Sequence, residues 1–383
     1  MSHYFDYNAT APVRPEVRAA MDQALKLVGN PSSVHGPGRE ARAAVENARA
    51  RVAALAGTAP ANVVFTGSGS EANNLALAGP RPARILASAI EHPSILRPAA
   101  ERPGAFALIP VGADGIVDLA RLEEQLAQPS AGEGPVLVTV MVANNETGVL
   151  QPVADVVRLA KSAGALTHCD AIQAAGRVAL DFDGLGCDLM SLSAHKIGGP
   201  KGVGALICRP GMDIAPLVAG GGQERSLRAG TENVPGIAGF QAAAEAAMAE
   251  LAGGEELPRL SALRDRMEAE ITSAVQGTVV IGAGVPRLAN TSCFALPGWQ
   301  AETLVIAMDL ANFAVSAGSA CSSGKVEASH VLAAMELAPE VEAAAIRASI
   351  GFDTTEKDID AIIKALIEVN ARATAPAAVT RSA

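Results

Sequence analysis

The stretch DLMSLSAHKIGGPKGVGAL, from Asp188 to Leu206, decides the fold. Its pattern predicts a buried strand that ends in Ser-Ala-His-Lys, followed at once by Gly-Gly-Pro-Lys-Gly and a second apolar run. In open α/β sheets, ligands bind at the carboxyl ends of the strands. Lys196 lies there, and partial burial would favour the neutral amine that attacks an aldehyde, so it is a candidate Schiff-base former. Lys201, further from the strand end, is predicted to be a surface loop lysine, as most lysines are.

Apolar segments on both sides of this stretch share its strand character, because they are short and bounded by Gly, Pro or polar residues. They begin at Asn62, Arg84, Pro135, Gly164, Leu189 and Gly202. Helical patterns such as DLARLEEQLA from Asp118 and VADVVRLAKSA from Val153 lie between several of them. Near-continuous apolar strands with helical crossovers predict an α/β fold whose mostly parallel sheet is covered on both faces.

The character of the chain changes after a long Ala-rich helical stretch that runs from about Val234 to Leu251. Beyond it lie strands with weaker alternation and several further helices. We therefore predict a large α/β domain over residues 15–255 and a smaller α+β domain formed by residues 1–14 and 256–383. The last residues, ARATAPAAVTRSA, are typical of a frayed terminus.

Composition narrows the possible functions. The chain has 383 residues, 49% of them hydrophobic, and a net charge of -10 with scattered basic residues, which argues against nucleic acid or an anionic membrane as its main partner. No secretory signal is found, and the longest apolar runs are too short to span a bilayer. The irregular spacing of the five cysteines fits neither a disulfide framework nor a zinc site. We expect a cytoplasmic protein without a metal.

One acidic and one polar side chain follow another predicted strand, in HCDAIQAAG from His168 to Gly176. A carboxylate at Asp170 could hold the pyridine nitrogen of pyridoxal phosphate protonated, which keeps the ring an electron sink. Gln173, three residues on, would face the same side of a helical turn and could reach the ring's phenolic oxygen. An N-capping aspartate explains this short pattern equally well.

The segment FTGSGSEANNLAL, from Phe65 to Leu77, takes a strand through a Gly/Ser-rich turn into a helix. A helix start offers free N–H groups and a positive dipole end, which suits a phosphate, and Ser70 could add a hydroxyl. Plain N-capping is the alternative, and the turn is not a Walker A loop because no Gly-Lys-Ser/Thr follows. His92, in AIEHPSIL just past a strand end, could stack on a cofactor ring and move protons, although a satisfied histidine is more common.

Together these segments resemble the cysteine desulfurases of the class V aminotransferase group, and the pattern is closest to the NifS/IscS-like members. The likeness spans nearly the whole chain and rests on YFDYNATAPVRPEV, GNPSSVHGPGREAR, FTGSGSEANN, EHPSIL, VANNETGVLQPV, CDAIQAAGR, SAHKIGGPKGVGAL, GGGQERSLRAGTEN, SAGSACSSGKVEASHVL and IRASIGF. It implies the aspartate-aminotransferase-like fold (fold type I), with a seven-stranded large-domain sheet. It also implies a pyridoxal 5'-phosphate enzyme that takes sulfur from L-cysteine and leaves L-alanine.

The resemblance implies a role for each matching residue. Lys196 holds the cofactor, His92 stacks on its ring, Asp170 pairs with its nitrogen, and Gln173 and Asn145 contact its oxygen side. The phosphate is bound by Gly69, Ser70, Ser193 and His195, with Thr231 added from the partner subunit of a homodimer. Arg347 binds the substrate carboxylate through its planar fork, and Asn145 also contacts the substrate. Without the family, Arg347 could be a strand arginine in an ion pair.

Cys321 matches the cysteine that takes the sulfur as a persulfide and passes it to an acceptor protein, such as an iron–sulfur scaffold. It lies in GSACSSGKVEASH, whose Gly, Ser and Ala suit a mobile loop that visits two places. The other four cysteines lie in or beside apolar strands or ordered turns, where buried thiols are inert. An exposed, unreactive cysteine is the alternative.

Departures from the family are small. The turn Gly67-Ser68-Gly69-Ser70 stands where relatives often have Ser-Gly-Ala-Thr, and Lys325 and Ala328 follow Cys321 where many have a small or apolar residue and a proline. Two rival hypotheses remain: another class V enzyme, such as an aminotransferase or a selenocysteine lyase, and a sulfur-relay or scaffold protein with a structural cofactor. The sequence does not name the sulfur acceptor.

Overall fold

The structure, a computed structural model, describes residues 3–102, 104–129, 132–318 and 329–374. Its strands are β1 (His3–Tyr4), β2 (Val63–Thr66), β3 (Arg84–Ser88), β4 (Phe106–Ile109), β5 (Val136–Thr139), β6 (Leu166–Asp170), β7 (Leu189–Ser193), β8 (Gly204–Cys208), β9 (Val279–Val280), β10 (Thr291–Ala295), β11 (Phe313–Ala314), β12 (Ser316–Ala317) and β13 (Ala345–Ser349).

The α-helices are α1 (Pro15–Ala24), α2 (Gly36–Ala56), α3 (Gly69–Ala78), α4 (Pro93–Ala100), α5 (Leu119–Leu126), α6 (Val153–Ser162), α7 (Phe182–Leu185), α8 (Val234–Gly253), α9 (Glu256–Ala274), α10 (Ala301–Leu310), α11 (His330–Ala334), α12 (Pro339–Ala344) and α13 (Glu356–Thr374). Short 3-10 turns follow α2, β7 and the loop after β8. None of the helices in the described ranges is long and apolar enough to cross a membrane.

The central sheet has seven strands in the order β2-β8-β7-β6-β5-β3-β4. The pairs from β7 to β4 are parallel, and β8 is antiparallel to both of its neighbours. The predicted mostly parallel seven-stranded α/β fold is therefore confirmed. The strand β4 has no counterpart among the predicted segments, although its residues FALI are all apolar; it is a four-residue strand at the sheet edge, where Leu108 is exposed.

The predicted strand from Pro135 to Ala143 is shorter in the structure, where β5 ends at Thr139. The chain beyond it nevertheless stays extended along β6, since the amide of Val140 donates to the His168 carbonyl at 3.1 Å and that of Val142 to the Asp170 carbonyl at 2.8 Å. The apolar run therefore marks backbone that is bonded to the sheet beyond the regular strand.

Six strands of this sheet, all except β8, point the same way and end at one edge. Five of them end in a polar residue: Thr66 in β2, Ser88 in β3, Thr139 in β5, Asp170 in β6 and Ser193 in β7. Each of these side chains is buried. Because parallel strands bring their carboxyl ends together, polar residues far apart in the chain meet at this edge.

A second core forms beyond α8. The strands β12-β13-β10-β9 make an antiparallel sheet, and α9, α10 and α13 pack their apolar faces into the same cluster. The start of the chain joins it, because β1 pairs with β11 in parallel and the fully buried Phe5 lies in that cluster. The division at residues 15–255 against 1–14 and 256–383 stays a prediction.

Candidate active site

One cleft at the carboxyl edge of the central sheet gathers ten of the predicted site residues. It has a volume of about 280 Å³. The predicted residues that line it are Gly69, Ser70, His92, Asn145, Asp170, Gln173, Ser193, His195, Lys196 and Arg347. These residues lie far apart in the sequence, from Gly69 to Arg347, and the tertiary fold brings them together.

Lys196 ends the 3-10 turn that directly follows β7, so the strand fixes the position of its backbone. Its amine donates to two main-chain carbonyls, those of Asn8 at 2.6 Å and Ala9 at 2.9 Å. Both acceptors belong to the N-terminal segment, which therefore forms one wall of the cleft. These two acceptors are neutral oxygens. The charge of Lys196 acts to lower the pKa of both His92 and Asp170.

Asp170, the last residue of β6, is buried and held by two donors. Its Oδ1 accepts from the amide of Ile172 at 2.9 Å, and its Oδ2 accepts from Asn73 Nδ2 at 2.8 Å. Burial raises the pKa of Asp170, while these hydrogen bonds and the charge of Lys196 oppose that rise. A buried carboxylate in this setting would gain from a cationic partner in the cleft, such as a protonated ring nitrogen.

His92 caps the N-terminus of α4 with its ring. The amide of Ser94 donates to His92 Nδ1 at 3.1 Å, so the proton of the neutral ring lies on Nε2. Burial, with the charge of Lys196 next in importance, lowers the pKa of His92 to about 4, so the ring is neutral at pH 7. Asn73 Nδ2 donates to Ser94 Oγ at 2.9 Å, which leaves the Ser94 hydroxyl proton to bond Nδ1 at 2.8 Å.

The predicted phosphate-binding site, called the cradle below, lies where α3 begins. Its first residue is Gly69, and Ser68 caps the helix by accepting from the amide of Glu71 at 3.1 Å. A Cβ at Gly69 would lie only 2.5 Å from Ile172 Cδ1 and 3.1 Å from Ser193 Cβ, so the glycine keeps this space open. The N-terminal amides of a helix and its dipole favour an anion at such a point.

Two further side chains complete the cradle. Ser193 Oγ is buried and has no hydrogen-bond partner among the described residues. An orphaned buried hydroxyl is costly unless a ligand satisfies it. His195 Nδ1 bonds Thr10 Oγ1 at 3.2 Å, and burial lowers the pKa of His195 to about 4.

Arg347 reaches the cleft from β13 in the other sheet. Its Nη2 donates to Asp6 Oδ1 at 2.6 Å and its Nη1 to the Asn145 carbonyl at 2.8 Å. Its Nε is buried without a partner in the part of the chain that the structure describes. Arg347 is thus an ion-paired strand arginine, as one alternative predicted, while its role in binding a substrate carboxylate stays a prediction.

The N-terminal segment contributes residues that are not among the predicted site residues. Asn8 Nδ2 donates to Thr291 Oγ1 at 2.9 Å and to the Asn145 carbonyl at 3.1 Å, and its own carbonyl accepts from Gln173 Nε2 at 2.9 Å. Asn8 therefore ties the Lys196 region to both sheets. The polar run DYNAT, embedded in the quoted N-terminal motif, was the available signal.

Two buried glutamates are also missing from the predicted site. Glu91 Oε1 accepts from Ser88 Oγ at 2.5 Å, and burial raises the pKa of Glu91 to about 8. Glu146 lines the cleft, and its Oε2 accepts from Ser329 Oγ at 2.5 Å, while burial raises its pKa. His330 Nε2 bonds the Glu91 carbonyl at 2.8 Å. The neighbouring residues Ser329 and His330 are therefore each hydrogen-bonded to one of these two glutamates.

Two predicted residues do not appear in this cleft. Thr231 is exposed and lines a different cavity near Thr66 and Gly67. Cys321 lies outside the described residues, as do Lys325 and Ala328. The four described cysteines are free and buried, and burial raises the pKa of Cys208 and Cys293 to about 12, which makes them poor nucleophiles.

The donor set fits pyridoxal 5'-phosphate. A lysine amine, a buried carboxylate, a neutral imidazole and an open helix N-terminus beside an unsatisfied hydroxyl correspond to the aldehyde, the ring nitrogen, the ring face and the phosphate of that cofactor. Within the described residues, no group of three or more metal-ligating side chains is found.

Comparison with known proteins agrees with this geometry. The model of the family described as aminotransferase class-V matches residues 3–362. The chain is 42% identical to the "Cysteine desulfurase" of Cereibacter sphaeroides, over 95% of this chain and 94% of that protein. It is 39% identical to the "Cysteine desulfurase IscS" of Dictyoglomus turgidum, over 93% and 91%. A solved structure, the NifS-like protein from Rickettsia africae, has a TM-score of 0.88 and 35% identity, covering 97% of this chain and all of the other.

Proposed function

The chain belongs to the class-V aminotransferase family, and on that premise we propose which of its side chains perform the reaction of a cysteine desulfurase. The protein is an enzyme that uses pyridoxal 5'-phosphate and acts in sulfur transfer from L-cysteine. The observation that supports our residue assignment is the convergence of ten predicted side chains on one cleft. The assignment gives each of them a task that its contacts can support.

Cofactor binding falls to the sheet edge. We assign the cofactor's aldehyde to Lys196 and its ring nitrogen to Asp170, with His92 on the ring face. Gln173 and Asn145 serve the ring's oxygen side, and the phosphate is assigned to Gly69, Ser70, Ser193 and His195. When bound, the cofactor ring stores the electron pair that is released at the substrate carbon.

Proton transfer falls to Lys196 and His92. We assign to Lys196 Nζ the removal of the proton from the substrate α-carbon. We assign to His92 the proton transfers at the Cys321 thiol and at the carbon that becomes the alanine methyl group, so the proton lost by the thiol becomes the proton gained by carbon and the ring ends neutral. Arg347 orients the substrate through its carboxylate, either beside Asp6 or in its place.

Sulfur transfer is assigned to Cys321. Its thiolate forms an S–S bond with the substrate sulfur, the substrate C–S bond breaks, and the electron pair of that bond stays with carbon until a proton arrives. The products are L-alanine and a persulfide on Cys321. The buried state of the four described cysteines supports this choice, since inert thiols leave Cys321 as the reactive one.

Assembly and cellular role are also proposals. A homodimer is supported by Thr231, which is exposed and does not line its own cleft, as expected of a residue that serves the partner's cofactor phosphate. We propose an acceptor protein such as an iron–sulfur scaffold, in keeping with the name of one relative. The free thiols suit a reducing compartment, and we place the enzyme in the cytoplasm.

The test is alanine release from L-cysteine in the presence of a thiol reductant, with wild type compared with Cys321→Ala. We expect wild type to form alanine and the variant to keep its yellow cofactor but to lose nearly all activity. Equal alanine formation by both proteins would favour a lyase and remove Cys321 as the sulfur acceptor. No alanine from wild type would contradict the assigned activity.

Cys293→Ala is the matched control, because this cysteine is buried in β10 with a strongly raised pKa. It should lose some stability through its small cavity but release alanine at a rate close to that of wild type.

A further inference from the structure

Arg177 is a buried cation, and its four hydrogen bonds within the described part of the chain all go to neutral oxygens. The acceptors are the Gln173 side-chain oxygen Oε1, the Gln173 carbonyl at 3.2 Å, the Tyr7 carbonyl at 3.4 Å and the Lys196 carbonyl at 3.3 Å. Burial, and after it the charge of Arg347, lowers the pKa of Arg177 to about 9. A charge held in this way costs stability, so a functional reason for its position is worth seeking.

The guanidinium group determines which way the Gln173 amide faces. A guanidinium has only donors, whereas a glutamine amide has one acceptor end and one donor end. Arg177 Nη1 therefore requires Gln173 Oε1, and the inverted amide would set two donors against each other. The NH₂ end then points away from Arg177, and it donates one hydrogen to the Asn8 carbonyl at 2.9 Å.

Among the described residues, the Asn8 carbonyl is the one acceptor found for that NH₂ group, and Gln173 lines the cleft. Arg177 does not line this cleft but a separate small cavity that also borders Lys196. We propose that Arg177 is a positioning residue, which locks the Gln173 amide so that its N–H group is presented to the ring oxygen of the cofactor. It also holds the Lys196 carbonyl, so one cation orients two cofactor-binding residues. The inference rests on the proposed function, because Gln173 is assigned there to the cofactor.

The test is a double-mutant cycle on cofactor binding. Apoprotein of wild type, Gln173→Ala, Arg177→Met and the double variant is titrated with pyridoxal 5'-phosphate, and the dissociation constant is read from the absorbance of the bound cofactor. We expect each single variant to raise the dissociation constant about tenfold, the loss of one hydrogen bond to a charged or polar partner. In the Gln173→Ala background, Arg177→Met should add less than about threefold, because coupled residues are not additive.

Two results would overturn the proposal. One is an unchanged dissociation constant for Arg177→Met together with a lower melting temperature, which is the signature of a purely structural arginine. A full tenfold addition in the Gln173→Ala background would likewise show that the two residues act independently. Arg264→Met is the matched control: this arginine is also buried, bonds the Leu288 carbonyl at 2.6 Å, and should change stability but not cofactor affinity.

Failure of the proposed function has a different signature. If wild-type apoprotein does not bind the cofactor, the site assignment itself is wrong. If wild type binds but Gln173→Ala binds equally well, the role of Gln173 and with it that of Arg177 is refuted, while Lys196 keeps its assignment. Arg177→Lys adds a graded check, since an ammonium can meet Gln173 Oε1 without reaching all three carbonyls, and its dissociation constant should fall between those of wild type and Arg177→Met.

Discussion

The two ends of the cleft are built in different ways. At the sheet end, Asp170 and His92 follow strands of one sheet and are linked through Asn73 and Ser94 by bonds of 2.8 to 3.1 Å. At the other end, Arg347 comes from β13 of a second sheet and already holds the carboxylate of Asp6 at 2.6 Å. One end is a closed network of a single carboxylate and neutral donors, and the other is an ion pair.

This difference separates a resident ligand from a transient one. The polar network at the sheet end is buried and pre-organised, which suits a cofactor that stays through every turnover. An ion pair with one unsatisfied donor can accept or exchange a second carboxylate, which suits a substrate that enters and leaves. Variants at the two ends should therefore affect different steps.

The largest effect is expected at Asp170. In Asp170→Ala the ring nitrogen of the cofactor loses its anionic partner, so kcat for alanine formation should fall about 10²- to 10³-fold, as when a pre-organised electrostatic group is removed. Stopped-flow or steady-state alanine assays measure this loss. Asp188→Ala is the control, because Asp188 is equally buried but precedes β7 at the opposite edge. A similar kcat loss in both variants would mean that Asp170 acts only through folding.

A smaller effect of another kind is expected at Arg347. Arg347→Ala should raise KM for L-cysteine about 10- to 100-fold, the loss of a charge-assisted hydrogen-bonded pair, while the absorbance of the bound cofactor is preserved. Arg347→Lys should recover part of the affinity, since the charge remains but the fork is lost. Loss of the cofactor spectrum in Arg347→Ala would contradict this difference, because it would show that Arg347 also serves cofactor binding.

The smallest effect concerns acid stability of the sheet end. His168 in β6 is fully buried between Thr139 and Ser191, and burial lowers its pKa from 6.5 to about 3. The folded protein therefore keeps this ring neutral while the unfolded chain binds a proton below pH 6.5, so the stabilisation is present above pH 6.5 and is lost as pH falls towards 3. Urea unfolding should show it: His168→Asn should reduce the pH slope of stability below pH 6.5 by about 1.4 kcal/mol per unit. An unchanged slope would show that His168 is not held neutral.

Most of the sheet end could be predicted from the sequence. Apolar runs that end in polar residues identify strands, and parallel strands necessarily bring those ends together, so Asp170, Ser193 and Lys196 could be placed at one edge before any coordinates. The strand β4 was not predicted although its residues FALI are apolar, because a four-residue run gives no periodicity that separates a short edge strand from other apolar segments.

The other end could not be derived in this way. The contact of Arg347 with Asp6 joins positions 341 residues apart, and no periodicity encodes such a pair. Arg177 escaped for a related reason: in CDAIQAAGR its spacing from Gln173 is visible, but its burial and its lack of a charged acceptor are tertiary facts. The resemblance to a family supplied Arg347, whereas the network around Asn8 and Arg177 required the structure.

The most direct test of the account is to locate the lysine that holds the cofactor. The purified holoenzyme is reduced with borohydride, which fixes the cofactor to that lysine, and the labelled peptide is identified by mass spectrometry. We expect a single label on Lys196 and none after Lys196→Ala. A label on Lys201 or on any other lysine of the wild-type enzyme would contradict the assignment of the sheet edge as the cofactor site.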